Sequence, residues 1–193
     1  MMQYKKGIYF TILILVPFFL LNACKKENNA PAITIDGFDV VDAVGNLIDH
    51  VGAPDNDWTF NNTLSPAELA LFNFSTAENL NNTTEATLSD KVTAYPNPTA
   101  LSQTYQFSAT DSVLMKIVIV DNNLNVLTKG AIKFKGIYTV TLDYADDKDL
   151  FPDGASRRIY YSFSCASKQN FKAGYGDIKM CYDSGSGDYM KCF

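Results

Sequence analysis

Histidine and tryptophan occur once each in the 193 residues, and the four cysteines include no Cys-x-x-Cys pair. With His50 alone, on an Asn- and Asp-rich stretch, a His-based catalytic triad or a His-built zinc site has almost nothing to draw on. Gly-x-Ser-x-Gly and a glycine-rich phosphate loop are also missing. No catalytic residue is assigned, no cofactor is expected, and the chain reads as a non-enzyme. Positive charge is scarce as well: 16 basic against 21 acidic residues leave a formal charge of −5. Without the first 23 residues, which hold Lys5 and Lys6 but no acid, it falls to −7. That balance excludes nucleic acid and anionic lipid head groups as main partners. The longest apolar run, Gly7 to Leu21, is broken by Thr11 and Pro17 and is too short for a comfortable transmembrane helix.

That run has a different layout. Lys5 and Lys6 precede it and small residues close it, as in a secretory signal spanning residues 1–23. The stretch Leu21-Asn22-Ala23-Cys24 resembles the lipobox of bacterial lipoproteins. The resemblance implies cleavage before Cys24, a diacylated thiol and an acylated new amino terminus. Each buried methylene contributes about 0.8 kcal/mol, so two or three acyl chains such as palmitate hold a protein on a membrane durably. Cys24 is therefore expected to be a lipid anchor. Lys25 stands where an aspartate tends to retain lipoproteins at the inner membrane, which implies the outer membrane. Lys25-Lys26-Glu27 is similar to the surface-export signal of Bacteroidota-type lipoproteins, so the cell surface is expected over the periplasmic face. Residues 24–32 are polar, carry Pro31 and read as a tether.

Residues 33–91 form a mixed segment. Ser65-Pro66-Ala67-Glu68 places a capping hydroxyl, a proline at the first helical position and a glutamate three residues on, which predicts a short helix near 66–72. From residue 92 the pattern turns to short runs rich in Val, Ile, Tyr, Phe and Thr, separated by Asn, Asp and Gly. Such spacing predicts an all-β antiparallel sandwich over 92–193. Lys116-Ile117-Val118-Ile119-Val120 lacks strict alternation and is placed as a central strand. Asp121 to Asn125 is the hairpin turn after it, because Asn and Asp tolerate left-handed backbone.

Residues 92–165 carry a family resemblance. Ala94-Tyr95-Pro96-Asn97-Pro98-Thr99, then KIVIVDNNLNVL and DDKDLFPDGASRRIYYSFS, resemble two related Ig-like sandwiches: the type IX secretion sorting domain and the Ig-like domain of flagellar hook-capping proteins. The resemblance implies an Ig-like antiparallel fold. A sorting domain normally ends its chain, whereas this one runs on past Cys165, so the fold is carried over and the sorting role is not.

Other chemistry is sparse. Asp146, Asp147 and Asp149 form a candidate calcium cluster of hard oxygens, but the spacing fits no EF-hand and Lys148 opposes a cation, so a solvated acidic turn is the expected state. Asp111-Ser112-Val113 resembles the acceptor of the general O-glycosylation system in Bacteroidota-type exported proteins, which makes Ser112 a candidate site. Trp58, Tyr160, Tyr161 and Tyr175 could stack on sugars, yet in a sandwich they read as packing. Once Cys24 is lipidated, three cysteines remain in an oxidising compartment. Cys181 and Cys192 flank YDSGSGDYMK, whose glycines let the chain fold back, so this pairing is preferred while those using Cys165 stay open.

The expectation is a lipid-anchored, non-catalytic binding or structural module with an unidentified protein or glycan ligand. The competing reading is a small hydrolase or carbohydrate-processing accessory with a site in residues 33–90. A binding module should expose an apolar or aromatic patch, and an enzyme should converge at least two perturbed ionisable groups in a cleft.

Overall fold

The computed structural model describes residues 32–53, 57–60, 63–78, 80, 86–89, 92–166, 168–182 and 192. The signal segment 1–23, Cys24 and all but the last residue of the tether lie outside the described residues. No helix among the described residues is long and apolar enough to cross a membrane.

The chain is all-β and antiparallel, built around one long hairpin. Strands β1 (Gly37–Val41) and β2 (Leu47–Gly52) pair with each other, and β3 (Thr93–Tyr95), β4 (Ser102–Val120), β5 (Val126–Asp143), β6 (Ser156–Cys165) and β7 (Lys168–Lys179) make the main sheet. Along β4, Gln103, Tyr105, Phe107 and Ala109 are buried in period-two alternation. The register then slips between Ala109 and Val113, so three residues of β4 face the single Lys135 of β5. Opposite Ala109, Gly136 has φ +79, a left-handed backbone that glycine adopts at little cost. This bulge bends the hairpin and lets one strand pair serve two layers. The first half of β4 pairs with β3 and the second half with β6, which continues to β7.

The layers enclose one core. Tyr105 and Phe107 from the first half of β4 share it with Val113, Met115 and Ile119 from the second half, and with Ile159, Tyr161, Phe163 and Ile178 of β6 and β7. The outward face of the second layer is buried too. Val118, Val120, Tyr160, Ala173 and Tyr175 pack beneath Leu64 and Phe72. That double burial explains the unbroken apolar run of β4, which lies between β5 and β6 as a central strand.

Its cover is the segment around helix α1 (Pro66–Ala70), where the Ser65 side chain accepts from the Glu68 amide and Glu68 accepts from the Ser65 amide. The predicted capping box is formed. The other Glu68 oxygen accepts from the Tyr160 hydroxyl at 2.6 Å, so the cap also fastens the helix to β6. Lys116 donates to the carbonyls of Phe72 and Phe74, both at 2.7 Å.

Two hairpins use the same clasp. Asp42 accepts from the amides of Val44 and Asn46 and from the Asn46 side chain; Asp121 does so from Asn123, Asn125 and the Asn125 side chain. In the second turn the left-handed residue is Leu124, at φ 59, and not an Asn or Asp. Leu124 packs against the outer cluster, which offsets the backbone cost.

Asn97, between Pro96 and Pro98, is fully buried. Its amide nitrogen donates to the carbonyls of Asp39 and Asp177, and its oxygen accepts from the Lys179 amide. It thereby ties β1 to the end of β7. Cys181 and Cys192 are disulfide-bonded with Cα atoms 5.6 Å apart, and Cys165 is buried at the end of β6.

Candidate functional site

Among the described residues, the bend in the β4–β5 hairpin leaves one side of the sandwich open. The two halves of β5 face each other across a groove of about 170 Å³. Gly130, Ala131 and Ile132 line it from one layer and Tyr138, Val140 and Leu142 from the other, with Met115 and Ile117 of β4 behind them. Apart from Ala131, which lies between Lys129 and Lys133 on the outward face, these are core-facing positions: Ile132 stands opposite Met115 in the register, Gly130 opposite Ile117, and Tyr138 opposite Phe107. No carboxylate, imidazole or thiol lines the groove.

Along its 18 residues β5 pairs with β4, and among the described residues no strand pairs with its other side. An edge of this length presents a row of outward-pointing backbone donors and acceptors. The outward face of its first half carries Lys129, Lys133 and Lys135. Lys129 lies 5.1 Å from the Phe74 ring centroid, and Lys135 pairs with Asp111 at 3.1 Å while its side chain is 62% exposed. Past the bend, Ile137 is 73% exposed. A second exposed apolar group, Val44, Leu47 and Ile48, sits on the β1–β2 hairpin.

Ionisable groups converge elsewhere. Arg158 and Asp177 are cross-strand neighbours on the outer face of β6 and β7. They make a bidentate pair, Nε to Oδ1 at 2.7 Å and Nη2 to Oδ2 at 2.6 Å, and the guanidinium lies 4.0 Å from the Tyr175 ring centroid. Next to Asp177, Asp57 accepts from the amides of Asp177 at 2.6 Å and Asp39 at 3.3 Å. Burial, and then the negative charge of Asp177, push the Asp57 carboxyl up to about 8. Asp39 is bonded through its carboxylate to His50 Nδ1 at 2.7 Å. Each oxygen of Asp57 is occupied by a backbone amide, so the cluster works as a clasp joining residues 39, 57 and 177. The small cavity beside it, about 50 Å³, is lined by Asp39 and Trp58 among others and has room for a few water molecules.

The clasp gives a signed pH dependence. Asp57 titrates higher in the folded chain than the ordinary carboxyl near 3.9 of an unfolded one, so the folded state holds an extra proton between those values. Its contribution is fully present below about pH 4 and is lost as pH rises towards about 8. The groups facing it are Asp39, Asp177 and Tyr161, with His50 and Arg158 one contact further out. Urea unfolding at pH 5, 6.5 and 8 should show the wild type losing stability relative to Asp57→Asn as pH rises. A constant difference across the three conditions would refute this role.

The remaining sequence-derived candidates are dispersed. Asp146, Asp147 and Asp149 are exposed around the short 3-10 turn Ala145–Asp147, and among the described residues no three His, Cys, Asp or Glu are placed to hold a metal ion. Ser112 lies in the β4 bulge, half-buried, its amide donating to Asp111 Oδ1 at 2.7 Å. Trp58, Tyr160, Tyr161 and Tyr175 are all buried as packing residues. The groove and the Asp57 clasp were not found by sequence reasoning. Neither protein-family models nor curated protein sequences match this chain.

Proposed function

We propose that the protein is a lipid-anchored outer-membrane protein, on the cell-surface face, whose sandwich serves as a non-catalytic binding or structural module. The observation that carries the binding role is the open side of β5: an apolar groove, lined by no acid–base group, bordered by a long strand edge that no strand among the described residues pairs with. The all-β antiparallel architecture is compatible with the Ig-like fold implied by the Tyr95–Pro98 resemblance. Ser112, on the bulge beside that side, is a candidate for O-glycosylation, which would alter access to it.

The anchor is tested at Cys24. Cys24→Ala should abolish the lipid mass increment and release the protein from membranes after a high-salt wash. A variant that still co-sediments and shows the wild-type lipid mass refutes the anchor.

The competing hydrolase reading draws on the raised carboxyl of Asp57 beside the Asp39–His50 pair. Each Asp57 oxygen accepts a backbone amide, and Asp57 is not among the residues lining the neighbouring cavity, which favours a structural role for it. Asp57-dependent hydrolysis in an ester and glycoside panel would reverse that preference.

A further inference from the structure

We infer that the open side of the sandwich is completed by an extended segment of a partner chain, which pairs with the edge of β5 and alternates apolar with acidic residues. This rests on the binding role proposed for that side. Strand side chains alternate between faces with period two, so a strand laid along β5 continues both of its surfaces. Beside the first half of β5, one set of partner side chains would enter the groove next to Gly130 and Ile132 and meet Tyr138, Val140 and Leu142 across it. Only apolar side chains suit that wall.

The other set would lie on the outer face beside Lys129, Lys133 and Lys135. From Val126 to Leu142 the strand carries these three lysines and no acid, within a chain of net charge −5. Opposite-charge neighbours across a strand pair stabilise and like charges oppose. A second copy of this chain pairing β5 to β5 would place six lysines in one ribbon, so charge favours an acidic segment over self-association. The strand from Leu127 to Lys135 spans about 30 Å at the usual rise, which suits about nine residues of partner.

The test uses the full chain in detergent micelles and three capped nonapeptides: alternating Glu and Val, alternating Lys and Val, and the Glu/Val peptide with a central proline. Calorimetry at low salt and amide exchange across β5 are the readouts. The Glu/Val peptide should bind at least tenfold more tightly than the other two and protect the β5 edge. Lys129→Glu, Lys133→Glu and Lys135→Glu combined should reverse the preference between the Glu/Val and Lys/Val peptides.

Gly130→Leu supplies a second variant, aimed at the groove. A Cβ at that position would meet only Ile117 Cγ2 within 4 Å, at 3.9 Å, so the site has room for a side chain to branch into the groove, and far-ultraviolet circular dichroism checks that the fold is kept. It should weaken the Glu/Val peptide at least tenfold. Equal binding of the Glu/Val and Lys/Val peptides, or no protection of β5 by any peptide, overturns the inference while leaving the open side intact. A β5 edge already protected before peptide is added, with sedimentation reporting a dimer, also overturns it and identifies a second copy as the occupant. The same protection in a monomer overturns both the inference and the proposed binding surface. The Cys24 experiment is unaffected by any of these results.

Discussion

Arg158→Met is expected to destabilise the fold by about 3–5 kcal/mol, the usual cost of removing one partner from a buried ion pair. The Arg158 and Asp177 side chains are 6% and 4% exposed, so solvent screens their interaction little. Methionine replaces much of the volume but none of the charge. It strands the Asp177 carboxylate in a buried site already shared with Asp57, and removes the donor to the Thr34 carbonyl. Asp177→Leu should cost a similar amount for the converse reason. The double variant should cost much less than the sum, because two apolar side chains across β6 and β7 leave no buried charge behind. Urea denaturation of the four proteins measures the cycle. Additive single effects, or an Arg158→Met cost below about 1 kcal/mol, would show that the pair does not carry this energy.

Trp58→Ala is the second large effect, also about 3–5 kcal/mol. Trp58 enters the core from a segment that runs beside β7: its amide donates to the Tyr175 carbonyl at 3.0 Å, and Thr59 bridges Tyr175. The indole stacks on Tyr161 at 6.5 Å and leans on Tyr105 at 5.6 Å between centroids. It lies so close to Gly176 that a Cβ there would stand 2.2 Å from the indole. Removing the ring leaves a cavity walled by β7 and β4 that neither backbone can close. Two features reduce the loss: the indole Nε1 has no hydrogen-bond partner among the described residues, and the residue sits at φ 57. Trp58→Gly should therefore be no worse than Trp58→Ala despite removing more atoms, since glycine relieves the left-handed backbone. Thermal unfolding followed by circular dichroism compares the two. A clear advantage for alanine would show that the backbone at 58 is unstrained.

Local features of this fold are legible in the sequence because they depend on neighbours along the chain. The capping box at Ser65 and Glu68 involves four consecutive residues, and the apolar run from Ile117 to Val120 marks a strand covered on both faces. The strand-rich composition after residue 92 correctly indicates an all-β antiparallel fold. What the sequence hides depends on distant partners. Asp57 takes its two amides from residues 39 and 177, and Asn97 joins the same two regions; no period or motif records either connection. The groove is hidden for a subtler reason. Tyr138, Val140 and Leu142 alternate in the same way whether their face is roofed by another strand or left open, so periodicity identifies the inward face without saying what covers it. Leu124 shows the limit of residue-type rules in turns. Packing on the outer cluster places a leucine where the turn chemistry alone predicts an asparagine or aspartate.

The central claim is that the side of the sandwich bordered by β5 is open for binding. Amide hydrogen exchange on the full chain in detergent micelles tests it without any ligand, with Val118 to Val120 of β4 and the middle of β6 as internal references. The β5 amides that point away from β4 should exchange at least about a hundredfold faster than those references, because local opening is not needed to expose them. Protection of those amides equal to that of β4 would mean that the edge is already covered, and would contradict the account.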